Sequence, residues 1–160
     1  YHLAMDFEHL IAINDPGNPL ILPLSRQQVW DGLLHRVENP VPFMPGLESC
    51  TIVERAAGHL LRDLDFGPAR IRDRVTMAER HWVRFEILAA AEHAGGTLTI
   101  TIEEPADGHL FMRFAYRTTL ATQADSEDRA YVEFVKSAYH QSDVDCVRLI
   151  RTLAATGDPQ

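Results

Sequence analysis

The chain has 160 residues, enough for one domain with a real hydrophobic core, and its 23 acidic against 15 basic side chains leave a net charge of −8. With no Lys/Arg-rich run to offset that charge, nucleic acid and anionic membrane surfaces are poor partners. No apolar run is long enough to span a bilayer and no basic-then-apolar signal segment precedes the first strand, so a cytoplasmic protein is expected.

Residues 1–4, ahead of Met5, read as an expression remnant and are set aside, which leaves residues 5–156 as a single domain. Over residues 6–14, Phe7, His9, Ile11 and Ile13 alternate with polar neighbours, the period of a strand. Asp15-Pro16-Gly17-Asn18-Pro19 then interrupts it. Ser25 followed by Gln28 is a capping-box pattern. The apolar spacing of Val29, Trp30, Leu33, Leu34 and Val37 predicts a helix that ends before Asn39-Pro40. Three prolines between positions 40 and 46 remove the donors that helix and sheet ladders need, so this stretch is a connector with at most one short helical turn.

From residue 48 to 119 the period is two, with turn signals at Ala57-Gly58, Gly67-Pro68, residues 79–81, 93–96 and 105–108. Six antiparallel strands in a meander follow. A two-residue turn at Gly67-Pro68 sets Leu64 opposite Ile71 and Arg62 opposite Asp73 on one face. On the other face, Asp63 meets Arg72 and Asp65 meets Arg70, a ladder of opposite charges suited to solvent. Continued through a three-residue loop at 79–81, the same register pairs Val75 with Phe85 and Met77 with Val83 inside and Arg74 with Glu86 outside. Arg62 and Asp73 therefore point to the apolar side, where neither is tolerable alone and each must satisfy the other. In the last strand Leu110, Met112, Phe114 and Tyr116 are taken as inward, although Phe111 and Ala115 leave the opposite parity open.

Residues 126–155 read as one long amphipathic helix of roughly 40 Å. Asp125 or Ser126 serves as its cap, and Gly157 and Pro159 act as stop signals. Its apolar or small stripe runs through Tyr131, Phe134, Val135, Ala138, Ser142, Cys146, Leu149, Ile150 and Leu153, with Tyr139 also on the inward polar set. The stripe is small in the middle, which leaves two readings: close packing against a large partner, or a cavity touching Ala138, Ser142 or Cys146 of about 300–1,000 Å³. Cys50 and Cys146 belong to no metal or redox motif and are read as reduced. The histidines fall at no metal-ligand spacing, and no glycine-rich phosphate loop or nucleophile elbow is present. No metal and no cofactor are expected.

One strand, a helical insertion, six antiparallel strands and a long last helix resemble the START-like, or SRPBCC, helix-grip superfamily. Within it, residues 7–16, Glu38-Asn39-Pro40, Pro45-Gly46-Leu47 and residues 98–105 are similar to the AtaL-like branch, which takes its name from a protein encoded in a fungal acetylaranotin biosynthesis cluster. The resemblance covers residues 5–153 and carries no catalytic motif. It implies an α+β helix-grip (START/Bet v 1-like) fold: a seven-stranded antiparallel curved sheet wrapped around a long C-terminal helix, with short helices between strands 1 and 2. It also implies a hydrophobic cavity. An NTF2-like cone, which also joins a helix to a curved sheet, places its long helix first and fits less well.

The leading expectation is binding of a small hydrophobic molecule, with polar contacts from His9, Arg62, Asp73 and Tyr116 and the helix contributing Ala138, Ser142 and Cys146. The alternatives are an enzyme resembling the polyketide cyclases and aromatases, using His9, Tyr116 or Asp73 as general acid or base, and an interaction module like the superfamily's chaperone cofactors. Carriage or catalysis, and monomer or homodimer, stay open at this stage.

Overall fold

A computed structural model describes the backbone of residues 2–89, 95–121 and 126–156, and the side chains of residues 6–89, 95–118 and 132–156. The elements follow the expected order: β1 (His2–Ala12), α1 (Arg26–Glu38), a 3-10 turn (Val41–Phe43), β2 (Ser49–Ala56), β3 (His59–Asp65), β4 (Arg70–Ala78), β5 (Trp82–Ile87), β6 (Gly96–Ala106), β7 (His109–Ala121) and α2 (Ser126–Ala155). The seven strands form one antiparallel sheet in the order β1-β7-β6-β5-β4-β3-β2, so the first strand returns to pair with the last. This is the helix-grip arrangement.

Local chemistry accounts for the boundaries. Ser25 Oγ accepts the Gln28 backbone N–H at 3.0 Å while Gln28 Oε1 accepts the Ser25 N–H at 2.8 Å, a closed capping box at the start of α1. Gly67 takes a positive φ of 88° in the β3–β4 turn, and the Phe66 N–H reaches Ala69 O at 2.8 Å. The registers Arg62–Asp73, Leu64–Ile71, Val75–Phe85 and Met77–Val83 are as the turn chemistry requires. Leu110, Met112, Phe114 and Tyr116 are buried, which settles the parity of β7. β1 begins at His2 rather than at residue 6, with Leu3 and Ala4 opposite Leu120 and Thr119, and it stops at Ala12, short of residue 14. There the Asn14 side chain takes over, accepting from the Leu24 N–H at 2.8 Å and donating to the Leu24 carbonyl at 2.7 Å. The expected turn at 93–96, the Asp125 cap, the inward Tyr131 and the stop residues Gly157 and Pro159 lie wholly or partly outside the described residues.

The core fills the space between the sheet and both helices, with Val29, Leu33, Val75, Val83, Ile100, Met112, Phe114 and Ile150 at or near zero exposure. The phase of α2 differs from the expected stripe. Phe134 is 70 % exposed and Ala138 also faces solvent, whereas Asp143 and Val147 are buried beside Cys146 and Ile150. The helix is turned toward a carboxylate that hydrophobic periodicity assigns to the outside. The two cysteines are free, Cys146 buried and Cys50 half-buried. No described helix is long and apolar enough to cross a membrane.

Candidate functional site

A cavity of about 250 Å³ lies between the inner sheet face and the helices. Leu64, Phe85, Ile87 and Leu98 supply its apolar wall from the sheet. Phe43, Met44 and Pro45 close it from the proline-rich connector, and Tyr139 and Ser142 reach it from α2. Its polar lining consists chiefly of Arg36, Arg62, Asp73 and Tyr116. It is somewhat smaller than expected and meets the helix stripe at Ser142, beside the Tyr139 and Tyr116 rings stacked at 4.5 Å. Of the residues expected to line it, Arg62, Asp73, Tyr116 and Ser142 do so. Ala138 does not, since its side of α2 faces solvent. Cys146 is packed in the core behind the cavity, and His9 also stands behind it. A wider recess of about 640 Å³ lies on the outward side of the sheet, chiefly among Asp6, Glu8, Arg84, Thr99 and Arg117. Its lining of solvated, partly ion-paired charges makes the inner cavity the candidate site.

Arg62 and Asp73 form a buried bidentate pair, Nε to Oδ1 at 2.9 Å and Nη2 to Oδ2 at 2.6 Å. The remaining terminal nitrogen of Arg62 donates to the carbonyls of Arg36 and Val37 at 3.2 and 3.0 Å. Those carbonyls belong to the last turn of α1, where backbone acceptors lack helical partners and a cation is favoured. One side chain thus neutralises an acid and caps a helix.

A second polar cluster joins β1, β7 and α2. The Tyr116 hydroxyl donates to Asp143 Oδ1 at 2.5 Å, and His9 Nδ1 meets Asp143 Oδ2 at 2.8 Å. Asp143 is fully buried. Burial pushes its carboxyl above the usual range, and the bonds from Tyr116 and His9 only partly offset that. Burial and the neighbouring Asp143 also raise the Tyr116 phenol well above its ordinary value, so Tyr116 acts as a donor and not as a base near neutrality. The Phe7 ring stacks on Tyr116 at 5.1 Å, and His140 meets the His9 ring edge-on at 4.9 Å.

Arg36, on the last turn of α1, is 7 % exposed. Its guanidinium lies 5.4 Å from the centre of the Phe85 ring, and Arg62 lies 5.1 Å from the same ring. Burial works against the Arg36 charge, yet Cys146, Tyr116 and Asp143 outweigh it, so its proton is held more firmly than usual. Arg36 Nη1 has no hydrogen-bond partner among the described residues.

Asp143 and Arg36 are the two residues of this site that periodicity did not identify. A signal was available for the first: Tyr139, Val147 and Ile150, at i−4, i+4 and i+7 of position 143, are all apolar or aromatic. An inward His9 and Tyr116 also required a partner of this kind. Among the described residues no group of three His, Cys, Asp or Glu side chains could hold a metal ion.

Solved structures with the same architecture share little sequence with the chain. The Zhui aromatase/cyclase from Streptomyces sp. R1128 superposes with a TM-score of 0.62 at 16 % identity over 91 % of this chain and 92 % of that one. The di-domain ARO/CYC StfQ from the steffimycin biosynthetic pathway gives 0.69 at 14 % identity over 96 % of this chain and 52 % of its own length. Ara h 8.0201 gives 0.62 at 13 % identity over 93 % of this chain and 99 % of its own. These likenesses establish a shared helix-grip fold. No curated protein matches the sequence. At the level of sequence the match is to the family described as acetylaranotin biosynthesis cluster protein L, over residues 11–157. That span takes in α1, β2 to β7 and α2, and with them every polar residue of the cavity, so the chain belongs to the AtaL family.

Proposed function

We propose that the protein binds a small, largely apolar molecule between its sheet and α2. The observation that carries this reading is the cavity of about 250 Å³, walled by aliphatic and aromatic side chains with a few convergent polar groups on one side. An apolar cavity of about 150 Å³ suffices for benzene, so this one suits a molecule of one or two rings. The names of the neighbours, aromatase/cyclases among them, are consistent with such a ligand. Ile87 lines the cavity, so a bulkier side chain at this position takes up ligand space. Native mass spectrometry of protein purified from its own cells should show a bound small molecule that Ile87→Trp protein lacks. A native protein free of any adduct, with mass unchanged on denaturation, would count against the reading.

The Tyr116–Asp143–His9 chain favours a second reading, an acid–base enzyme of the cyclase type. Tyr116 faces the cavity as a donor while Asp143 and His9 extend behind it, an arrangement that could pass a proton from protein to ligand. Turnover of the co-purified molecule, lost in Asp143→Asn protein that still binds it, distinguishes catalysis from carriage.

A further inference from the structure

Burial of a guanidinium is tolerated when its donors are taken up by carboxylates, carbonyls or aromatic faces, and buried donors are almost always paired. Arg62 obeys this rule, with two bonds to Asp73 and two to the end of α1. Arg36 does not. It is more than nine-tenths buried, it lines the cavity, and its Nη1 has no partner among the described residues. The surrounding anionic groups are already engaged. Both oxygens of Asp143 are held by Tyr116 and His9, Asp73 is held by Arg62, and no described carboxylate forms an ion pair with Arg36. Phe85 presents its ring to both guanidinium groups, so the apolar wall and the Arg36 cation adjoin.

We infer that the molecule bound here is a small aromatic acid, one or two rings carrying an anionic oxygen that pairs with the Arg36 guanidinium where it faces the cavity, while the rings lie against Phe85, Leu64 and Leu98. The inference rests on the cavity-binding reading above and narrows it to a class of ligand. An oxyanion there pairs with a buried guanidinium that forms no ion pair with a described carboxylate. A neutral hydrocarbon of the same shape would fill the volume and leave the guanidinium as it is.

Isothermal titration of the intact protein with 2-naphthoate, 2-naphthol and naphthalene tests this. Naphthoate should bind about ten- to a hundredfold more tightly than naphthalene, the range expected of a charge-assisted hydrogen bond, with neutral naphthol between them. In Arg36→Met protein the advantage of naphthoate should vanish while naphthalene binding persists, and Arg36→Lys should keep part of it. The comparison of probes on the unaltered protein needs no variant to fold. Equal affinity for naphthoate and naphthalene overturns the assignment of an acid and leaves the cavity-binding reading intact. Failure of all three probes to bind overturns both.

Discussion

Tyr116 Oη donates to Asp143 Oδ1 at 2.5 Å, and through that bond the strand that closes the sheet is tied to the helix it grips. The acceptor is a fully buried carboxylate whose other oxygen depends on His9. Tyr116→Phe keeps the ring stacked on Tyr139 but leaves Asp143 with half its partners. The expected loss is about 1–3 kcal/mol, read from the urea midpoint at constant m-value.

The same carboxylate makes stability depend on pH with a definite sign. Burial raises the Asp143 carboxyl in the folded protein above its ordinary value near 3.9. An acid shifted upward contributes stability that is complete below the unfolded value and is lost as pH rises through the folded one. Asp143→Asn cannot titrate. The stability of the variant relative to the native protein should therefore increase between about pH 4 and pH 7, as thermal melts across that range would report. A flat or falling difference would show that the two hydrogen bonds outweigh burial.

Loss of Asp73 or of Arg62 should not be equivalent, although the two residues form one pair. Asp73→Asn leaves a cation that still reaches two carbonyls of α1, whereas Arg62→Met removes the cap together with the countercharge. Each should cost about 3–5 kcal/mol, with Arg62→Met the larger. The end of α1 should also lose hydrogen-exchange protection only in Arg62→Met. Arg62→Met combined with Asp73→Leu should recover much of the stability, since neither charge is then stranded.

For Arg36 the charge and the open donor pull in opposite directions. Cys146, Tyr116 and Asp143 hold the guanidinium charge against burial, while Nη1 has no partner among the described residues. Arg36→Met removes both, so it should lower the unliganded melting temperature by less than Arg62→Met, which also strands Asp73. A larger loss in Arg36→Met would show that the held charge outweighs the open donor.

Gly32 gives a prediction of a different kind. In most helix interiors Gly→Ala is favourable by up to about 1 kcal/mol. Here a Cβ would stand 2.7 Å from both Cγ atoms of Ile150, where α1 crosses α2. Gly32→Ala should therefore destabilise, by about 1–3 kcal/mol, and chemical denaturation decides the sign.

How much of this was legible beforehand follows from the physics of each feature. Turn residues and the Asp63–Arg72 and Asp65–Arg70 ladder determine register locally, so the Arg62–Asp73 pair could be placed from residues 60–87 alone. The rotation of α2 could not be found that way. Hydrophobic periodicity treats every acid as outward, and Asp143 is inward because two distant side chains compensate it. Arg36 lies on the phase of Val29 and Leu33, yet a lone cation near a helix end reads naturally as a partner of the helix dipole. The small side chain of Ala138 fits either side of a helix, so its size does not say which way it faces.

The pairing of β1 with β7 has a consequence for how the site comes into being. β3 through β7 each pair with the preceding strand, contacts a growing chain can make as soon as its residues are available, whereas β1 must find a partner roughly a hundred residues downstream. His9, Tyr116 and Asp143 come from β1, β7 and α2, the elements joined by that late closure. The complete cluster therefore exists only when the two ends of the sheet have met: a meander of β2 to β7 can hold the Tyr116–Asp143 pair and the cavity wall but lacks His9.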